Sequence, residues 1–535
     1  MGLFSETMHS KLIFWFTALM LVSLPFSEFS LSVSFVAICI NWILEGQLKE
    51  KFNKLWSNKS VLFFLLIYIS LVIGMFYTSN ISYGISELRL KSPLLLLPIV
   101  YSTSKRFSSK EFFYLVSLFF LSVLVASIYS TFIFSKLYWM GSSNVRDISP
   151  FVSHIRFGLM VNIALYFCLS YSLELPSISF KIPRWAFVLL AIWYAFFLLI
   201  LQSLTGIVVF VATGILLVVL FIFRIKNSVG RFSALVVLCC SILFIFSFLG
   251  HKAEKFFTRK NFYLENLQEI TVNGNPYKHE PERIQYENGY QVWVNNCWSE
   301  LEVEWNKKSK TPFRSSDKMG QPISMTILRY VTSKGLTKDS VGLSKLDSVD
   351  ISLIEAGVTS EIFRNHRFGI YPRLYQFFWE IDQYVNLNQV NGSPFIQRII
   401  YMKAATEIVK KNFWFGVGSG DLVDTFNDYY AQNDPDLDPK YRFLSHNQYL
   451  THWVAVGFFG FLALLFGWFY PFFREGRHRS FMSLVFFFII SISMLNEDTF
   501  QTHTGVCLTA LFYSLLIFRT VPSTSLFEKR DLPKN

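Results

Sequence analysis

Cysteine is scarce in this chain of 535 residues. There are six, and five of them (Cys39, Cys168, Cys239, Cys240 and Cys507) lie in apolar runs, which leaves Cys297 alone in a hydrophilic stretch. One such thiol cannot build an intramolecular disulfide framework. The chain has no C-x-x-C or H-E-x-x-H pattern, so the common zinc arrangements are absent. Charge is also thin, at 16% of residues, against about a quarter in soluble domains. No small-residue cleavage site follows the first apolar segment, which is therefore expected to be a retained helix rather than a signal peptide.

What the chain has instead is apolar and aromatic. It is 52% hydrophobic and 18% aromatic, with 59 Phe and a mean hydropathy of +0.37, which points to a polytopic membrane protein whose Phe side chains suit lipid. Apolar runs fall near 12–27, 29–44, 60–77, 92–103, 112–134, 155–173, 185–201, 206–223, 232–250, 447–473, 480–495 and 504–518. The prediction is about twelve transmembrane helices. Every even-numbered connection is basic, from Lys49, Lys51, Lys54 and Lys59 to Arg474, Arg477 and Arg479. By the positive-inside rule both termini are cytoplasmic, and the formal charge of +12 reflects topology rather than a nucleic-acid partner.

Three parts are expected: an N-terminal membrane domain over 1–250 with about nine helices, a large extracytoplasmic loop domain over 251–445, and about three C-terminal membrane helices with a tail over 446–535. The loop is too long for a mere connection and mixes charge, aromatics and turn residues as an ordered subdomain does. Its aromatic segment IYPRLYQFFWEIDQYV (Ile370 to Val385) is expected to lie at the membrane interface and lid the membrane site. Ser393-Pro394 then offers a cap and a first-turn proline for a helix reaching about Lys411.

The stretch FLSHNQYLTHWVAVGFFGFLALLFGWFY (Phe443 to Tyr470) carries the chemistry. It is charge-free from Asn447 to Phe473 and long enough to span. Ser445 and Gln448 have capping-box spacing, which would set His446 in the first turn, where the positive end of the helix disfavours imidazolium. His446 is thus the candidate general base. FGVGSGD (Phe415 to Asp421) lacks the flanking strand of a nucleotide loop, so ATP and NAD are rejected and the glycines are expected to permit a sharp return of the chain. NDPDLDP (Asn433 to Pro439) lacks the Gly and terminal Glu of an EF-hand, and is expected to be a solvated turn.

Taken together, QRIIYMKAATEIVKKNFWFGVGSGD (Gln397 to Asp421), the H-N-x-Y-L element at His446 and the following Gly-rich apolar helix resemble the O-antigen ligase and polymerase family of bacterial membrane glycosyltransferases. The resemblance implies an all-α, GT-C-like membrane fold in the inner membrane, with the active site on the periplasmic side. It also implies glycan transfer from undecaprenyl diphosphate to a lipid A-core or glycan acceptor, by metal-independent inverting displacement and without a cofactor. Arg398 matches the family arginine ahead of the G-x-G turn, so diphosphate binding is carried over to it. Arginine suits that task because its planar fork pairs with two phosphate oxygens.

Other cations are candidates for substrate binding on position alone. Arg373 sits in the aromatic YPRLY, and Arg442 four residues before His446. Lys91 and Arg156 each begin an expected span, where a cation either snorkels to headgroups or meets a ligand. Where the family often has S-R-x-G this chain reads Ser203-Leu204-Thr205-Gly206, which makes Arg156 a possible replacement for the missing arginine. His452 and His503 follow His446 as alternative bases. A polymerase of the same family is the nearest alternative function. A transporter is a more distant one, since the apolar centres hold few ionisable residues.

Overall fold

The computed structural model describes residues 5–139, 148–174, 182–259, 267–365 and 370–519. In chain order the first helices are α1 (Glu6–Ser23), α2 (Glu28–Leu44), α3 (Leu48–Ser57), α4 (Lys59–Gly74), α5 (Ile81–Lys91) and α6 (Pro93–Thr103). There follow α7 (Ser109–Trp139), α8 (His154–Glu174), α9 (Arg184–Leu201), α10 (Leu204–Ile222) and α11 (Ser228–Phe257). A two-residue antiparallel ladder, β1 (Tyr286–Glu287) with β2 (Tyr290–Gln291), comes next. Then come α12 (Trp298–Lys308), α13 (Ile323–Ser333), α14 (Ser340–Ser344), α15 (Ser348–Glu355), α16 (Ile362–Asn365) and α17 (Ile370–Leu387). The series ends with α18 (Pro394–Lys411), α19 (Leu422–Asn433), α20 (Gln448–Arg474), α21 (Phe481–Ser493) and α22 (His503–Tyr513).

All twelve expected apolar runs lie on helices, and short polar residues start many of them. Ser27 caps α2, Asn58 caps α4 and Asn80 caps α5, each side chain accepting a first-turn N–H. Among the described residues seven helices (α4, α7, α8, α9, α10, α11 and α20) are long and apolar enough to cross a membrane. Helices α2 and α3 form a pair bent by 110° and would make an eighth crossing if counted together. The protein is thus a mostly helical, multi-pass membrane protein. Helices α1, α6, α21 and α22 are shorter or less apolar than a full crossing.

The chain forms two compact units. The first draws on Met1–Thr131, Arg146–Ile215 and Gln397–Asn535, and the second on Phe132–Val145 and Leu216–Ile396. Residues 397–445, read from sequence as part of the loop, therefore pack with the first unit. In the second unit Trp305, Ile327, Tyr330, Val331 and Ile354 are fully enclosed in one apolar cluster joining α12, α13 and α15, so that stretch has a core of its own. Aromatic residues of α17 pack on the end of α11, with Phe256 5.0 Å from Tyr375 and 5.7 Å from Phe378 between ring centroids. Cys297 is 3% exposed, which makes it a poor probe of the loop's sidedness. Lys310, exposed after α12, serves instead. If 251–445 is extracytoplasmic, Lys310→Cys reacts with a membrane-impermeant maleimide in intact spheroplasts; labelling only in inverted vesicles reverses the topology.

In the first unit α20 runs along α4, where Phe63 meets Tyr470 at 4.3 Å and Phe64 meets Trp468 at 6.5 Å. The expected unbroken span over 447–473 is in fact two helices joined at a kink. Gly457 has φ 70° and ψ −170°, a conformation open only to glycine. The break frees backbone groups that the 413–418 turn takes up: Val417 and Gly418 donate to the carbonyls of Val454 and Ala455, both at 2.9 Å, and Phe458 donates to Phe413 at 2.8 Å. A Cβ on Gly457 would lie 2.2 Å from the Trp414 carbonyl, and one on Gly416 would lie 2.6 Å from the Gly457 nitrogen. Two of the glycines thus allow two stretches of backbone to touch. Gly457→Ala should destabilise the protein by about 2 kcal/mol or more, read as a lowered melting temperature in detergent, whereas Gly46→Ala, with open space around it, should pay only for its positive φ.

Candidate active site

Two chain ends are tied together before any charge is placed. Where α21 finishes and α20 begins, Gln448 N–H donates to the Met494 carbonyl at 2.8 Å and Asn447 Nδ2 to the Leu495 carbonyl at 3.0 Å. The side chain of Gln448 in turn accepts the Phe500 N–H at 2.6 Å. These bonds set His446, just ahead of α20, beside the turn Asn496-Glu497-Asp498, just after α21.

His446 does not occupy the first turn, and Ser445 and Gln448 do not form a capping box. The cap is Asn447, whose side chain accepts the Leu450 N–H at 3.1 Å. His446 precedes it in the left-handed region, at φ 51°. That corner shifts the helix start, so Ser445 Oγ accepts from Asn447 N–H at 3.0 Å and shares a 2.6 Å hydrogen bond with Thr451. His446 therefore lies outside the first turn of α20, where the helix dipole was expected to disfavour imidazolium. What holds the strained residue is Asp498, which accepts the His446 N–H at 2.9 Å through one carboxylate oxygen and the Thr451 hydroxyl at 2.6 Å through the other.

Glu497 is the hub for the side chains. Its Oε1 accepts from Arg398 Nη2 at 2.5 Å and from Thr205 Oγ1 at 3.4 Å, and its Oε2 lies 3.7 Å from His446 Nδ1. Asn496 completes the fork by accepting from Arg398 Nη1 at 3.2 Å. The Glu497 side chain is 4% exposed, whereas those of His446 and Arg398 are 30% and 26% exposed. The carboxylate is therefore walled in, while the two groups that it orients face outward. Burial alone would raise the Glu497 carboxyl, but His446, Arg398 and Arg156 together hold it below the usual carboxylate range. Burial pushes the Asp498 carboxyl up, against the opposing influence of His446 and Thr451.

Arg156 enters the same cluster from α8. Its Nε donates to Thr502 Oγ1 at 3.0 Å and its Nη2 to the Asp498 carbonyl at 2.9 Å, while the third nitrogen, also buried, has no hydrogen-bond partner among the described residues. The neighbouring α10 is bound to α8 through Asn162, whose Nδ2 donates to the Gly206 carbonyl at 2.9 Å. Thr205 on that helix reaches Glu497, so the Ser203–Gly206 segment that lacks the family arginine still borders the site.

The remaining sequence candidates lie elsewhere. Lys91 ends α5 rather than beginning a span, and pairs with Glu87 inside a small cavity also lined by Gln448, Thr451 and His452. Arg442 ties its own loop, with Nε donating to the Leu437 carbonyl at 3.1 Å. Arg373 belongs to the second unit, where Nη1 donates to Gln376 at 3.0 Å. His452 is buried against Ser70 at 3.1 Å, and His503 hydrogen-bonds Ser32 at 2.9 Å. Sequence reading passed over Glu497 and Asp498, although a signal existed: they are the only acidic residues between Glu475 and Glu528, and they close an apolar run.

Residues 367–465 match the O-Antigen ligase family. That stretch holds Arg373, Arg398, Arg442 and His446, and it extends past the kink of α20. The family relationship supports a ligase- or polymerase-type glycosyltransferase working on lipid-linked glycans in a membrane. No curated protein matches the chain.

Glu497→Gln keeps the shape of the hub and removes its charge. A carboxyl held below its ordinary range stabilises the fold above that range, and the contribution is lost as pH falls through the lowered value. Wild type should therefore melt above Glu497→Gln near neutral pH, with the gap closing in acid. A gap that widens in acid would contradict the role given to Glu497.

Proposed function

We propose that the protein is an O-antigen ligase-type glycosyltransferase that moves a glycan from undecaprenyl diphosphate to a hydroxyl of lipid A-core. The observation that carries this reading is the part-exposed imidazole of His446, with Glu497 at its Nδ1 side and Arg398 on the same carboxylate. Glu497 orients the ring and favours the imidazolium that forms on proton uptake, which leaves Nε2 as the base. The acceptor hydroxyl gives its proton to Nε2 as its oxygen attacks the anomeric carbon. The bond from that carbon to the diphosphate oxygen breaks, and undecaprenyl diphosphate leaves with the electron pair. One displacement inverts the configuration.

The departing diphosphate gains negative charge, and the guanidinium groups of Arg398 and Arg156 are suited to meet it. Arg398 already presents a planar fork, part exposed, braced by Asn496 and Glu497. Arg156 has a buried nitrogen with no acceptor among the described residues, which a phosphate oxygen would satisfy after a small movement of the side chain. In this reading Arg156 replaces the arginine missing from the Ser203–Gly206 segment. Glu497 and Asp498 hold the base and one cation in place and do not themselves touch the substrate.

The polymerase alternative uses the same proton and leaving-group chemistry on a different acceptor, and a deletion strain distinguishes the two. Polymer retained on the lipid carrier marks a lost ligase, single repeats on core mark a lost polymerase, and unchanged glycolipids remove both. Returning the gene with His446→Ala should leave the deletion phenotype uncorrected, with turnover of purified enzyme down by roughly 10² to 10⁴. The carrier-linked donor should still bind, because the arginines hold the diphosphate. Near wild-type product from a folded His446→Ala protein would overturn the base assignment.

A further inference from the structure

Phe443, three residues before the base, is 51% exposed, yet it ends a loop whose carbonyls are pinned one after another. Tyr430 donates its hydroxyl to the Phe443 carbonyl at 2.8 Å, Tyr401 donates to the Tyr441 carbonyl, and Arg442 donates to Leu437 at 3.1 Å. The ring of Tyr401, only 2% exposed, neighbours His446 at 5.6 Å between centroids with the planes 35° apart. Phe443 stands beside both rings, 6.1 Å from His446 at 60° and 6.2 Å from Tyr401 at 82°. Tyr401 is thus enclosed, while about half of Phe443 stands open beside the imidazole on a backbone whose carbonyl is pinned.

From this geometry we infer that Phe443 is the platform on which the acceptor sugar stacks. The inference rests on the reading of His446 as the base, since the group beside that base is the one that gives up a hydroxyl proton. A pyranose has an apolar C–H face and a polar rim, and the electron-rich face of an aromatic ring attracts those hydrogens. A sugar laid on Phe443 has its rim turned toward the imidazole, which stands as an inclined wall beside the platform. A rim hydroxyl then falls within the reach of about 2.6–3.2 Å that a general base requires. Bracing of the loop matters because a platform ordered in advance spares the entropy of fixing it on binding. Selection of the acceptor thereby depends on a residue that exchanges no proton.

The test uses enzyme in nanodiscs, carrier-linked glycan extracted from the host, and lipooligosaccharide purified from the deletion strain as acceptor. Phe443→Ala and Phe443→Leu should each raise the acceptor KM about tenfold, equivalent to roughly 1.4 kcal/mol of contact, with kcat and donor KM nearly unchanged. Phe443→Trp should restore the acceptor KM. The leucine variant separates stacking from lipid contact: it stays apolar but has no flat face. Wild-type kinetics in Phe443→Leu, or a loss confined to kcat or donor KM, overturns the platform while the proposed function stands. Wild-type enzyme that transfers no glycan to this acceptor overturns both.

Discussion

A carboxylate pair enclosed at the junction of two helix ends is the constraint on which this site depends. Glu497 and Asp498 are 3% and 7% exposed, and Arg156 is 5% exposed. None of these charges could stay ionised in such surroundings alone, because desolvation costs several kcal/mol per ion. Their mutual pairing makes the cluster tenable: two guanidinium groups, Arg398 and Arg156, set against two carboxylates, with hydroxyls of Thr205, Thr451 and Thr502 and the amide of Asn496 filling the remaining positions. Taking away one member strands the others, a loss of roughly 3–5 kcal/mol for buried pairs.

The same pair divides its work between main chain and side chain. Asp498 holds the backbone of His446 in a left-handed conformation that a histidine rarely adopts, and Glu497 addresses the ring. The backbone conformation of His446 and the placing of its ring thus depend on two neighbouring carboxylates, one for each. A preorganised dipole of this kind is effective in catalysis because nothing has to reorganise while charge develops. The break at Gly457 belongs to the same design, since the turn that fills it connects α18, which bears Arg398, to the helix that His446 precedes.

Reading from sequence succeeded where the signal was local and faltered where it was not. The apolar runs mark the helices because about twenty residues without charge have few other stable states, and His446 and Arg398 could be singled out because they stand in short motifs, while their roles belong to the proposal. The capping box was misplaced because spacing alone cannot reveal a left-handed residue between the candidate cap and the helix. Lys91 was read as facing a ligand or headgroups, but Glu87 one turn earlier pairs with it. Cys297 stands in a hydrophilic stretch, yet the loop encloses it, and hydropathy alone does not reveal a subdomain with its own apolar cluster.

By itself the sequence determined a mostly helical protein of the membrane and the family resemblance of residues 367–465, and it singled out His446 and Arg398 as candidates, since each depends on residues close together along the chain. Tertiary structure alone decided which charges meet. Arg156, Arg398, His446 and Glu497 are separated by up to several hundred positions, and the hydrogen bonds between the ends of α20 and α21 bring Arg398 and His446 to the Glu497 carboxylate, while Arg156 from α8 reaches the neighbouring Asp498 carbonyl. A pairing between distant charges leaves no periodicity to read, because its energy comes from distance in space and from exclusion of water, and neither is a property of a linear chain.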